Sequence, residues 1–238
     1  MLKIMEDIDA FCRANSIPYT ISDGTMLGAV RHGGFIPWDD DLDILMLRED
    51  FDRFVATYPS DRYHLLFNAR GDEEYFVDGY AKVCDPSTTY SERRSKTKYG
   101  VFVDVFPLDA VPADPKERQK YMHKIRSLHN RLWHRQQSDL NSRIKTYRHS
   151  LDWWWERAWN FTHRNLHEES GIVAQCIGAS HYKVVFPRQL FSTLKDIDFA
   201  GLKLQCLADT HNYLEMRYGP DYMTPVQWAH DYTVYAKE

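Results

Sequence analysis

Four carboxylates, Asp39, Asp40, Asp41 and Asp43, fall within five consecutive positions of FIPWDDDLDI, residues 35–44, and apolar side chains frame them on both sides. A fold that buries Phe35, Ile36, Leu42 and Ile44 must carry the acids close to its interior, where an ionised carboxylate without a partner costs several kcal/mol. Two solutions are open: the acids face water on a strand edge, or a cation belongs among them. If residues 42–47 form a strand, Asp41 and Asp43 project together from one face while Leu42 and Ile44 take the other. Mg²⁺ suits such a pair, because it takes oxygen ligands, keeps several waters and shares its coordination with substrate phosphates. An Asp-x-Asp pair by itself is more often a solvated acidic turn.

A second acid narrows the choice. In GVFVDVFPLD, residues 100–109, Asp104 is the lone acid of an apolar run, with Val101, Phe102 and Val103 before it and Val105 and Phe106 after it. On a strand it faces inward or toward a site, and a strand lying beside 42–47 would join Asp41, Asp43 and Asp104 into one metal-binding face. A protonated or hydrogen-bonded structural Asp is the alternative. The third element is SDGTMLGAVRHGG, residues 22–34. Gly24 lets the backbone approach a ligand, Thr25 offers a hydroxyl, and N–H groups opening a short helix can receive a phosphate. Arg31 and His32 add positive charge nearby. Arg31 and Lys82 are candidate phosphate contacts, or solvated surface cations.

With 238 residues, 43% hydrophobic and 27% charged, the chain is a folded protein of one large domain or a domain with an appendage, not a disordered segment. Its start lacks the basic-then-apolar pattern of a signal peptide, and no stretch is apolar enough to span a membrane. The scattered Cys12, Cys84, Cys176 and Cys206 form no C-x-x-C pair, so neither a zinc site nor a disulfide framework is expected, and the expected compartment is the reducing cytosol. Charge is uneven: residues 1–114 hold 21 acidic and 12 basic residues, whereas 115–165 hold 4 acidic and 12 basic. An acidic part that can hold cations thus precedes a basic one that can meet anions.

The pattern predicts helices over 3–15, 48–58 and 209–218, a short helical piece after Gly24, and strands near 19–22, 42–47, 63–67, 76–83, 101–106, 183–186 and 199–204. Residues 115–169 are mostly helical. Three parts follow: a core over 1–114, a basic, aromatic-rich helical segment over 115–169, and a C-terminal part over 170–238 that completes the same domain. The aromatic residues of the middle segment, including Tyr121, Trp133, Tyr147, Trp153, Trp154, Trp155 and Trp159, are expected mainly to pack against the sheet. An anionic membrane surface or polyanionic glycan is the other use of such a mixture, with nucleic acid less favoured.

DGTMLGAVRHGGFIPWDDDLDI, REDFDRF, YAKV, GVFVDVFPLD and the late YLEMRYGPDYMTP together resemble the LicD family, which is related to fukutin-related proteins. The resemblance implies an α+β fold of the nucleotidyltransferase type seen in DNA polymerase beta-like enzymes, a mixed sheet with flanking helices and here a largely helical insertion. It implies Asp41, Asp43 and Asp104 as the catalytic metal carboxylates. Gly24 and Thr25 match the phosphate-binding turn, although Asp23 stands where many family members have Gly. Asp39 shares the acidic face as a supporting group, and Asp40 is expected to point away.

The implied activity is Mg²⁺-dependent transfer of a phosphoalcohol, phosphocholine from CDP-choline first among them, onto a hydroxyl of a cell-surface glycan such as lipopolysaccharide or teichoic acid, or onto its lipid-linked precursor. Other CDP-alcohols are alternative donors. A nucleotidyltransferase acting on a small molecule or nucleic acid, and a non-catalytic metal- or polyanion-binding module, are the competing readings. Work in the cytoplasm, at the inner face of the membrane if the basic segment meets it, fits the first reading. A quaternary ammonium needs an aromatic face. Trp38, Tyr80, Tyr99 and Trp153 to Trp155 are the candidates, and the sequence does not choose among them.

Overall fold

The structure, a computed structural model, describes residues 1–59, 61–70, 75–76, 79–92, 99–141, 151–177, 184–225 and 232–236. In chain order the elements are α1 (Leu2–Ala14), β1 (Thr20–Ile21), α2 (Asp23–His32), β2 (Asp43–Leu47), α3 (Arg48–Thr57), β3 (His64–Leu66), β4 (Ala69–Arg70), β5 (Tyr75–Phe76), β6 (Ala81–Cys84), β7 (Thr88–Glu92), β8 (Phe102–Ala110), α4 (Pro115–Asn141), α5 (Leu151–Arg164), β9 (Ile172–Ala174), β10 (Val185–Pro187), β11 (Leu194–Phe199), β12 (Leu202–Leu207), α6 (Thr210–Tyr218) and β13 (Tyr232–Ala236). The protein is therefore α+β, with a mixed sheet and helices.

Strands β1-β2-β8-β6-β3 lie side by side, and β9, followed by β10, pairs with the far end of β8. Only the β2–β8 pair of this sheet is parallel among the described strands. β8 is the axis: it is buried along all nine residues, as a central strand covered on both faces must be. Its Pro107 is accommodated by the topology. The Asp104 N–H points to Leu42 of the β2 side, so the missing N–H of Pro107, three residues on, faces the other side, between the stretches paired with β6 and β9.

The helices pack by apolar stripes. α1 buries Ile4, Met5, Ile8 and Cys12, and its Phe11 meets Phe54 and Tyr58 at the α3 end. One continuous core runs from Ile4 through Ile44, Val103 and Val105 to Phe199, Cys206 and Leu214, so the C-terminal strands and α6 share the interior of the N-terminal part. In the basic segment, Trp155 and Trp159 of α5 pack on Phe67. Tyr121 of α4 is buried too, which matches the packing expectation for these three rings, whereas Tyr147 lies outside the described residues. All four cysteines are buried thiols. Among the described residues no helix is long and apolar enough to cross a membrane.

Three expectations need correction. Residues 76–83 are not one strand: β5 ends at Phe76 and pairs with β4, and β6 begins at Ala81 after a bend at Gly79 and Tyr80. Residues 199–204 are not one strand: Ala200 and Gly201 both have positive φ, 49° and 89°, and turn the chain between β11 and β12 as a two-residue hairpin loop requires. The run 101–106 is only the front of β8, because Asp109 keeps its charge inside by pairing with Arg48, so the strand continues through an acid that local pattern would read as an end.

α2 ends in Gly33, φ 68°, with the Gly34 N–H bonded back to the Gly28 carbonyl. This turn presses the Gly34 carbonyl oxygen against the Cα of Gly28, where a methyl would collide with it. Gly28→Ala should lower stability by about 1–3 kcal/mol, the range for overpacking a fixed backbone. A fall in the urea midpoint at unchanged slope checks it.

Candidate active site

Register brings the site together. β2 and β8 align Asp43 with Asp104, and β8 and β6 align Asp104 with Lys82, so the three side chains form a row across adjoining strands on one face of the sheet. Lys82 and Asp104 are buried, and the Lys82 ammonium donates to Asp104 Oδ1 at 2.5 Å. Burial disfavours the ammonium, but Asp104 outweighs that and raises its pKa. Lys82 also lies over the rings of Phe102, Tyr99 and Tyr80, at 3.5, 5.2 and 5.3 Å from their centroids.

The remaining acids come from the turn before β2. The Asp39 N–H closes this turn on the Ile36 carbonyl at 2.9 Å, and fully buried Leu42 anchors its end. Asp39, Asp40 and Asp41 offer carboxylate oxygens that lie within 4.8 Å of one another. Asp40 does not point away as expected, because residues 37–42 precede the strand and the alternation of faces does not hold there. Asp41 belongs to this tight group and also adjoins Asp43, whereas Asp104 is drawn toward Lys82. Asp41, Asp43 and Asp104 are thus neighbours around one face without themselves closing to that distance.

The acids raise one another's pKa. Burial, then the charges of Asp41, Asp104 and Asp23, hold the Asp43 carboxyl well above the usual range against the pull of Lys82. Burial and Asp41 push Asp39 up to about 7. Such a set of hard oxygen donors fits a cation of the Mg²⁺ type.

α2 meets this group end-on. The Thr25 hydroxyl oxygen accepts the Asp43 N–H at 2.9 Å, tying the helix start to β2, and Met26 makes the first intrahelical bond, to Ser22. The N–H groups at Gly24 and Thr25 open the helix. Gly24 lies directly against the Asp39 carboxylate, which a methyl there would push aside. Arg31, two turns on, donates to the Tyr222 carbonyl at 3.2 Å and to His32 Nδ1 at 3.4 Å; His32 is exposed.

Sequence reasoning missed the contribution of the C-terminal helix. Asp23 sits at φ 47° and forms a buried ion pair with Arg217 of α6, and its N–H reaches the Tyr213 hydroxyl at 3.4 Å. Tyr218, Asp221 and Tyr222 then wall a cleft of about 550 Å³ with Trp38, Leu27 and Ile36, and Gly24 and Asp39 belong to this cleft as well as to the acid group. The signal lies within the late YLEMRYGPDYMTP motif. A second, more open groove of about 420 Å³ lies between α4 and α5, where Lys124, Arg157 and Arg164 stand beside Trp153 and Phe161.

Acids gathered at one end of a sheet, with a helix N-terminus aimed at them, define a site that can hold a cation and a phosphate together. Residues 16–127 match the family described as LicD/FKTN/FKRP, nucleotidyltransferase domain. The chain is 28% identical over 239 aligned positions, 93% of this chain and 88% of the relative, to the lipopolysaccharide cholinephosphotransferase LicD of Haemophilus influenzae. Shorter matches, 46% identical over 79 residues and 50% over 50, link it to uncharacterized proteins of Rickettsia typhi and Rickettsia prowazekii; they cover 33% and 21% of this chain and 25% and 19% of those proteins. The chain is thus similar to the LicD family over residues 16–127 and, at 28% identity, to one of its named members over most of its length.

Removing Arg217 should leave Asp23 as an uncompensated buried charge. Arg217→Met is expected to cost about 3–5 kcal/mol. Adding Asp23→Gly, which removes that charge and suits the positive φ, should restore most of it in a double-mutant cycle read by urea unfolding.

Proposed function

We propose that this protein is a Mg²⁺-dependent phosphotransferase that moves phosphocholine from CDP-choline to a hydroxyl of a cell-surface glycan or its lipid-linked precursor, on a nucleotidyltransferase-like fold. The observation that carries the reading is the row Asp43, Asp104, Lys82 across β2, β8 and β6, with Asp41 beside it. The family's description as a nucleotidyltransferase domain and the cholinephosphotransferase name of the Haemophilus relative support it.

Asp41, Asp43 and Asp104 would hold the metal, which when bound neutralises the diphosphate and orients the acceptor hydroxyl. The Gly24 and Thr25 N–H groups donate to a phosphate oxygen at the start of α2. Arg31 is a further cation toward the far end of that helix, and His32 accepts from it through Nδ1. Lys82 holds the Asp104 carboxylate in place through its hydrogen bond. In the transfer an acceptor oxygen–phosphorus bond forms as the bond from phosphorus to the CMP oxygen breaks, and the hydroxyl proton passes to a carboxylate of the group. Asp104 is the poorest base among them because it already accepts from Lys82. The basic groove between α4 and α5 suits an anionic acceptor or membrane surface, and buried thiols fit a reducing cytoplasm.

Purified protein with Mg²⁺ and a panel of CDP-choline, CDP-ribitol and CDP-glycerol should release CMP, fastest from CDP-choline. Asp43→Asn and Asp104→Asn should each lower kcat at least about a hundredfold, and EDTA should stop release until Mg²⁺ is restored. Nucleotide appearing on the acceptor would instead mark a nucleotidyltransferase. Unchanged rates in both Asn variants would mark a site that does no chemistry.

A further inference from the structure

The cleft beside the acids has a composition unlike the rest of the site. Its walls are Trp38, Tyr218 and Tyr222, with Leu27 and Ile36 between them, and carboxylates stand in its lining at Asp39 and Asp221. Apolar and aromatic surface edged by acids suits a cation too weakly hydrated to need hydrogen bonds, which is the character of a quaternary ammonium. The lining's basic side chain, Arg31, donates to the Tyr222 carbonyl at 3.2 Å. Tyr222 is fixed at both ends, since its hydroxyl also bonds His211 Nδ1 at 2.9 Å, so one aromatic wall is held in place before any ligand arrives.

Position points the same way. Gly24 and Asp39 belong both to the cleft and to the acid group at the start of α2, and choline is short. A phosphate bound at that helix start would have this chamber beside it for its alcohol. The other aromatic candidates are placed differently: Tyr80 and Tyr99 turn toward the Lys82 ammonium, Trp155 stacks on Trp159, and Trp153 lines the basic groove between α4 and α5.

We infer that the Trp38–Tyr218–Tyr222 cleft is the alcohol-specificity pocket and that it takes a trialkylammonium head, with Asp221 supplying charge. The inference rests on the phosphotransferase reading for its substrate, but binding tests it without turnover. The probes are phosphocholine, its uncharged isostere 3,3-dimethylbutyl phosphate, and CMP, each titrated calorimetrically with Mg²⁺ into the full chain. The unaltered protein should prefer phosphocholine to the isostere. Tyr218→Ala, a change at a side chain that is 43% exposed, should weaken phosphocholine by roughly 2- to 30-fold and leave CMP as it was. Asp221→Asn should weaken phosphocholine less, in a salt-dependent way.

Equal affinity for phosphocholine and the isostere would overturn the proposal, as would a Tyr218→Ala loss that falls on CMP, which would make the cleft a base pocket. If phosphocholine binds through Tyr218 but no CDP-alcohol releases CMP, the transfer reading fails and the pocket stands. If CDP-choline and CDP-glycerol both release CMP and Tyr218→Ala raises their KM equally, the pocket fails and the transfer reading stands.

Discussion

Everything at the acidic end of this molecule depends on the pairing register of β2 with β8. A slip of one residue would turn Asp43 and Leu45 to the helix-covered face and leave Ile44 beside Asp104. In the observed register, negative charge from two strands accumulates at one place, and β6 adds Lys82 opposite Asp104. One ammonium does not balance that group: the Asp43 carboxyl is still held well above the usual range by burial and its acidic neighbours. A divalent cation would relieve such an imbalance, and the backbone pairing of β2 with β8 holds the acids together.

β8 handles its two acids differently because they lie five residues apart and so face opposite sides of the sheet. Asp104 serves the acidic face. Asp109 is wholly buried on the other side, where Arg48 at the start of α3 donates to it at 2.7 Å. Arg48 also reaches Asp52 at 3.4 Å, and Asp52 meets His163 Nε2 of α5 at 2.9 Å, with the Trp159 ring near the guanidinium. Burial alone would lower the Arg48 pKa, and Asp109 more than restores it. The α5 helix is thereby joined to the sheet by a polar chain within an aromatic contact, which fixes orientation more strictly than apolar packing alone.

What could be read from the sequence was what local pattern controls. The apolar frame around Asp41 and Asp43, and the isolation of Asp104 in an apolar run, reflect burial, and burial is visible in residue order. The strand pairing that joined them was an inference from those two facts, and the register bears it out. Asp40 was misread because the period of two was extended into residues that form a turn. The β11–β12 hairpin was misread because Ala200 takes a left-handed conformation that its side chain does not advertise. The Asp23–Arg217 pair spans 194 positions, and no periodicity carries across such a distance.

That pair also explains a departure from the family. Where the resemblance leads one to expect glycine, this chain has Asp23 at φ 47°, a conformation that costs a non-glycine residue about 1–2 kcal/mol. Its carboxylate adds charge next to Asp43 as well. Arg217 addresses both effects by neutralising the carboxylate in a buried contact, and the Tyr213 hydroxyl accepts the Asp23 N–H. The consequence extends past the pair. Arg217 and Tyr213 belong to α6, so the same contacts press α6 onto the start of α2 and set Tyr218 and Tyr222 across from Trp38. The matched domain ends at residue 127, yet the wall of the cleft comes from about ninety residues beyond it. The acidic site and its chamber are therefore the product of two distant parts of one chain, joined where an unusual aspartate needs a partner.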